Sequence, residues 1–368
     1  MHQLGQRSRW ALEDARQRVA SLLNAEPAEI VFTGGGTESI NHGLRGIALA
    51  REPRRHMVTS AIEHEAVLET CRSLEQDFGF QVTYVRPGVD GIIDAKAFVD
   101  AMRADTAVAA LMYANNEIGT LQPVGQVAHE CRARGVPLFV DAVQAVGQIP
   151  VDVREIQVDA LALSAHKFTG PKGTGALYLR NGVGCRPGLR GGPQERQRRA
   201  GTENVAGIAG MVAALEESLG SLDTVSPRLA AMRDLLFDRI LSACPGSVPN
   251  GSRTDRLPGN VNISFPRVDG ESMVMALDRE GVLVSSGAAC ASGSTDPSHV
   301  LLAMGASEAR ARGALRVTIG AENTWDEIGQ AQAAIVRIAD RLGAPEATRG
   351  GGSAPAWAAM VTGSKALG

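Results

Sequence analysis

Three short segments of this 368-residue chain carry residue types that could do chemistry together. The run ALALSAHKFTGPKGTGALYL takes an apolar, strand-like stretch straight to Ser164, His166 and Lys167, then into glycines. Most lysines are merely solvated, but one just off a buried strand can form a Schiff base with an aldehyde while a neighbouring serine and histidine hold a phosphate. The run PLFVDA ends in Asp141, with Gln144 three residues later in DAVQ. In open α/β sheets ligands gather at the carboxyl ends of strands, so an acid there can face a bound ring; alone, it reads more simply as a helix N-cap. The run EIVFT passes into GGGTES and a helix-like INHGLRGIALA. Gly36 and Thr37 would then open a helix whose free N–H groups, dipole and threonine hydroxyl favour an anion. By itself this motif is weak, being neither G-x-G-x-x-G nor a P-loop. Together the segments answer three needs of pyridoxal 5'-phosphate (PLP): a carboxylate for its pyridine nitrogen, an amine for its aldehyde and donors for its phosphate.

These residues need a scaffold, and the periodicity of the chain describes one. Short apolar, β-branched runs recur: EIVFT (29–33), HMVTSAI (56–62), QVTYV (81–85), VAALMY (108–113), PLFVDA (137–142), ALALSAH (160–166) and GALYL (175–179). Helix-like stretches such as HEAVLETCRSLEQDFG and PVGQVAHECRARG lie between several of them. Strands apolar on both faces and alternating with helices predict an α/β fold with a mainly parallel sheet covered on two sides. Ahead of them, from Ser8, SRWALEDARQRVASLL sets Ala11, Ala15, Val19 and Leu22 at helical spacing. Past about residue 205 the pattern changes to long helices (205–219 and 226–243), a strand-like NVNISF (260–265) and mixed α+β periodicity. This predicts a large domain over 1–225, a smaller α+β domain over 226–345, and a disordered tail over the Gly-, Ala- and Ser-rich 346–368.

Composition narrows the function classes. Lys and Arg number 37 against 40 Asp and Glu, so no global field attracts a polyanion or an anionic membrane. Six arginines fall between Arg180 and Arg199 without interleaved aromatics, which suits a subunit interface or a solvated face better than RNA. The opening twenty residues lack an apolar core and no eighteen apolar residues run together, so neither an export signal nor a membrane span is expected. Five scattered cysteines without a C-x-x-C pair argue against a disulfide framework or a metal site and fit a reducing cytoplasm. Cys71 and Cys131 lie in helical patterns and Cys185 and Cys244 near loops, where each reads as structural. Cys290 differs. It sits in SSGAACASGS, a glycine- and serine-rich stretch that predicts a mobile loop and an exposed thiol.

The motifs VFTGGGTES, SAIEHEAVLETCR, NNEIGTLQPV, FVDAVQAVG, SAHKFTGPKGTG, RRAGTENV and SSGAACASGSTDPSHVL follow one another in an order and spacing that resembles the cysteine desulfurases of the NifS/IscS type. These are class V aminotransferase-like enzymes of PLP fold type I, and the resemblance runs from the start of the chain to about residue 340. It implies a seven-stranded, mainly parallel sheet between helices, a homodimer, and removal of sulfur from L-cysteine to give L-alanine and a persulfide on Cys290. Lys167 resembles the lysine that holds the cofactor, Asp141 the partner of the pyridine nitrogen and Gln144 the donor to the ring hydroxyl. His64 resembles the imidazole stacked on the ring and available for acid–base work. Gly36, Thr37, Ser164 and His166 resemble phosphate binders, and Thr202 the residue that reaches the phosphate of the neighbouring subunit. Asn116 and Arg316 would bind the substrate carboxylate.

The chain also departs from the pattern. Family members usually open on a strand with an Asn/Asp-Ala-Ala-Thr-Thr-Pro segment, and this chain starts after that point, so the segment is expected to be absent. Gly34 and Gly36 in the phosphate turn, and Pro193 in place of a common third glycine, are smaller departures. No C-terminal ending of the kind associated with scaffold docking is visible, so a sulfur acceptor for iron–sulfur cluster assembly or tRNA thiolation is expected without being named. Two other readings stand beside this one: a selenocysteine lyase or other class V PLP lyase, and a truncated non-catalytic paralogue serving as a binding subunit. Cys290 favours the desulfurase, because such an enzyme needs a thiol to accept sulfur.

Overall fold

All seven strand-like runs join one sheet in the computed structural model of the protein, which describes residues 2–287 and 296–343. The strands are β1 (Ile30–Thr33), β2 (His56–Ser60), β3 (Gln81–Val85), β4 (Thr106–Met112), β5 (Leu138–Asp141), β6 (Ala160–Ser164) and β7 (Gly175–Leu179), in the order β1-β7-β6-β5-β4-β2-β3. Pairings from β3 through β6 are parallel, and β7 alone runs against its neighbours β6 and β1. Six of the seven are buried along their whole length, as a sheet covered on both faces requires. β3 departs from that expectation. Lying at the sheet edge with one neighbour, it leaves Gln81 and Tyr84 exposed.

On one face Leu12, Ala15 and Val19 of the helix Gln3–Leu22 pack with Ile208, Met211 and Leu215 of the helix Val205–Gly220 against Phe32, Val140 and Leu163. On the other, a continuous helical stretch from Gly36 to Ala50 and the helix Glu65–Phe78 cover Val31, Met57, Phe139 and Leu177. The first helix begins at Gln3 rather than near Ser8, its end capped by His2 Nδ1, which accepts from the Gly5 amide. Its opening turns expose Leu4 and Trp10, so apolar periodicity could not mark them.

A second, antiparallel sheet follows, with β8 (Val248–Pro249), β9 (Asn260–Ser264), β10 (Ser285–Ser286) and β11 (Ala314–Thr318) in the order β10-β11-β9-β8. The helices Leu222–Ala243, Gly270–Asp278 and Trp325–Gly343 close a separate apolar cluster over it, centred on Phe237, Ile263, Leu315 and Ile335. No single helix among the described residues is long and apolar enough to cross a membrane. The arginines between 180 and 199 are largely spoken for within the chain, Arg180 by Asp159, Arg186 by Glu52, Arg196 by Glu13 and Arg199 by Glu38.

That segment contains a costly turn. Glu195, Arg196 and Gln197 all have positive φ (45°, 57° and 65°), a left-handed run that costs about 1–2 kcal/mol per residue for side chains of this kind. A buried ion pair holds it: the Glu195 carboxylate accepts two N–H bonds from Arg16, both at 2.7 Å, and a third from the Phe32 amide at 3.0 Å. Glu195→Gln takes from the buried Arg16 its bidentate carboxylate, leaving only Glu13 at 3.5 Å and the Ile30 carbonyl, and the expected loss is about 3 kcal/mol of stability, read from urea unfolding. A loss below about 1 kcal/mol would contradict this account of the turn.

Candidate active site

The parallel strands end on one side of the sheet, and a cavity of about 400 Å³ lies there. Gly36, Thr37, His64, Asn116, Asp141, Gln144, Ser164, His166, Lys167 and Arg316 all line it, although they are scattered over the length of the chain. Ile40, Met112, Ala114 and Val143 complete its walls; Val143 lies within the FVDAVQAVG motif, but neither it nor Met112 at the end of β4 carries a polar group to mark it. Thr202 is exposed and does not line the cavity, and Cys290 lies outside the described residues.

Asp141 is the last residue of β5 and is 5% exposed. Its Oδ1 accepts from the Val143 amide at 3.0 Å, which fixes the carboxyl as the chain leaves the strand. Burial pushes this carboxyl above the usual range, while the Val143 N–H and the electrostatic influence of His64 and Lys167 act in the opposite direction. Lys167 and His166 follow β6 on a short 3₁₀ turn, Ala165–Phe168, and both side chains are exposed. Ser164 Oγ lies 3.0 Å from His166 Nδ1, and partial desolvation, reinforced by Lys167 and Lys172, lowers the His166 imidazole from its ordinary range. Lys172 lines only the adjoining depression with Gly34, Glu38 and Asn41, in keeping with its reading as a turn residue.

The anion turn sits beside Ser164. Gly35, with φ 146°, swings the chain from β1 into the helical stretch that opens at Gly36. Glu38 steadies the turn by accepting from the Gly34 amide at 2.7 Å and pairing with Arg199. Gly175 permits the close fit beneath it, since a Cβ there would lie 2.6 Å from the Leu163 carbonyl oxygen and 2.8 Å from Gly35 Cα.

His64 caps the helix Glu65–Phe78: its Nδ1 accepts from the Ala66 amide at 3.0 Å. A nitrogen that accepts an N–H carries no proton, so the neutral ring bears its hydrogen on Nε2. Asn115 braces the opposite wall, accepting at Oδ1 from the Glu117 and Ile118 amides and donating from Nδ2 to the Ile62 carbonyl at 2.9 Å. It thereby ties the turn that bears Asn116 to the turn that bears His64, a link invisible in any motif. From the second sheet, Arg316 on β11 donates to the Asn116 carbonyl at 2.9 Å, and Asn260 and Asn262 of β9 donate to the Glu117 carbonyl.

The donor chemistry around this cavity fits PLP. A buried carboxyl, an amine and an anion turn with Ser164 and His166 beside it surround one space of a size suited to a small cofactor. The four thiols among the described residues do not enter it. Burial pushes all of them up, Cys131 and Cys185 to about 12, which leaves them poor nucleophiles.

Comparison with known proteins points the same way. The family model described as aminotransferase class-V matches residues 1–330. The cysteine desulfurase IscS of Dictyoglomus turgidum is 43% identical over 343 residues, covering 93% of this chain and 87% of that protein. The IscS of Methanosarcina thermophila is 42% identical, with 93% and 84% covered. Among solved structures, a NifS-like protein superposes with a TM-score of 0.85 at 36% identity, covering 92% of this chain and 89% of that one. SspA in complex with cysteine gives 0.77 at 34% identity, with 88% and 90% covered. A PLP-type donor set at the strand ends, a family match over nearly the whole length and this degree of identity leave one assignment: the chain belongs to the class V aminotransferase family of PLP enzymes, in its cysteine desulfurase branch.

Proposed function

We infer that the protein is a cysteine desulfurase, which takes sulfur from L-cysteine, leaves L-alanine and carries the sulfur as a persulfide on Cys290. The observation that carries this reading is the meeting of Lys167, Asp141 and the Gly36–Thr37 turn around one cavity, with Arg316 reaching it from the second sheet. That SspA was solved with cysteine bound supports the choice of substrate.

When bound, PLP supplies an electron sink that makes the substrate α-carbon acidic and weakens the C–S bond. Lys167 is the group that holds it, and Gly36, Thr37, Ser164 and His166 are its phosphate donors, with Thr202 serving the neighbouring subunit of a homodimer. Asp141 would hold the pyridine nitrogen by placing a carboxylate where positive charge is needed, and Gln144 would donate to the ring hydroxyl. Asn116 and Arg316 hold the substrate carboxylate, so the rest of the molecule points to Lys167. The Lys167 amine would move the proton at the substrate α-carbon, and His64 would serve proton transfer through Nε2. The Cys290 thiolate attacks the substrate sulfur: the C–S bond breaks, an S–S bond forms, and the carbon left behind takes up the proton that makes it the methyl of alanine.

A large PLP-binding domain to residue 225 and a smaller one from 226 to 345 belong to this reading, supported by the separate apolar cluster over the second sheet. A cytoplasmic location and a sulfur-acceptor protein, either a cluster scaffold or a thiolation enzyme, complete it. Purified protein given L-cysteine and a reductant is expected to release alanine and sulfide in equal amounts. Release of sulfide with pyruvate and ammonia in place of alanine would instead mark a lyase of the β-eliminating kind.

A further inference from the structure

The turn between β2 and the helix Glu65–Phe78 buries a carboxyl group for which the steps above have no use. Glu63 immediately precedes His64, and its side chain is wholly shielded from solvent. It turns back between the ends of β2 and β4, where Oε1 accepts from Ser60 Oγ at 2.5 Å and from the Met112 amide at 3.0 Å. Oε2 is buried with no hydrogen-bond partner among the described residues. Met112 lines the cavity and pairs in register with Asp141 on β5, while His299 Nε2 meets the Glu63 carbonyl at 3.0 Å.

An ionised carboxylate needs donors on both oxygens, and leaving one bare in the interior is costly. A neutral acid leaves only an unpaired O–H on Oε2, a smaller cost than a bare charge, and here both donors converge on the other oxygen, Oε1. The titratable groups that face Glu63 are His64, Cys71, Asp141 and, across the turn, His299. Among them Asp141 would be a like charge close by, and two adjacent buried carboxylates oppose each other's ionisation.

We propose that Glu63 is a positioning residue of this site, which as a neutral acid pins the His64 turn to the end of β4 without setting a second negative charge beside Asp141. The proposal rests on the cysteine desulfurase reading for its purpose, though not for the protonation state. Burial, opposed by the Ser60 and Met112 donors and reinforced by Asp141, pushes the carboxyl from 4.5 up to about 8. The folded protein therefore keeps a proton that the unfolded chain releases. The resulting stability is full below pH 4.5 and is lost as pH rises through about 8.

The test compares wild-type holoenzyme with Glu63→Gln, which keeps the shape and the accepting oxygen but cannot titrate. Urea unfolding across this range is expected to show the wild-type unfolding constant, relative to Glu63→Gln, rising about tenfold per pH unit up to about 8 and levelling off beyond. A ratio that stays flat across the range overturns the neutral acid. For the positioning role, Glu63→Ala is expected to lower visible cofactor absorbance per chain at least about threefold, with Glu63→Gln restoring it, as a lost hydrogen-bonded brace requires. A glutamine variant as colourless as the alanine one, or an alanine variant with full colour, overturns that role. A wild-type protein with no cofactor band would sink the functional reading itself, and the unfolding comparison would still decide the charge on Glu63.

Discussion

Lys167→Ala is expected to yield a folded protein with no visible cofactor band and with alanine formation from L-cysteine slowed at least about 10³-fold, since both the covalent anchor and the acid–base group are gone. Lys167 is exposed on the turn after β6, so its truncation should leave stability within about 1 kcal/mol of wild type. The effect on chemistry should be large because the nearest alternative amine in sequence, Lys172, does not line the cavity. Absorbance before and after borohydride treatment, with alanine measured in parallel, separates loss of the anchor from loss of the fold. Turnover within about tenfold of wild type, beyond the range of a lost general base, would mean that another amine does the work.

The strands that position the site could be read directly from the sequence, because a sheet covered on both faces leaves unbroken apolar runs, such as ALAL in β6 and LFV in β5. Short strands resisted. β8 and β10 have two residues each, too few for any period, and β11 carries Arg316 in a run that reads as mixed. For Asp141 the N-cap reading fails, since no helix follows β5 before Val153; the carboxyl accepts from the Val143 amide within a turn and lines the cavity. Asp141, Ser164, Lys167 and the Gly36–Thr37 turn stood out through their place at strand ends, whereas His64, Asn116 and Arg316 rested on the family resemblance alone. Glu63 and Asn115 did not stand out, because their work is to face inward and hold two turns together, a role set by the neighbours they meet in space. The buried Arg16–Glu195 pair was hidden for the same reason, its partners being 179 residues apart.

Cys290 stands on its sequence context, an exposed-type Gly- and Ser-rich segment, together with the character of the other thiols. None of the four described thiols lines the cavity, and burial pushes all of them up, away from the thiolate that sulfur transfer requires. The most direct measurement is therefore a single incubation of wild type and Cys290→Ala with L-cysteine in the absence of added reductant, scored for alanine and for sulfur bound to the protein by mass spectrometry of its peptides. Wild type is expected to form alanine and gain one sulfur atom on the peptide that contains Cys290, while Cys290→Ala keeps its cofactor absorbance, gains no sulfur and forms no alanine. A Cys290→Ala protein that makes alanine as fast as wild type, or a sulfur atom found on another cysteine, would contradict the account.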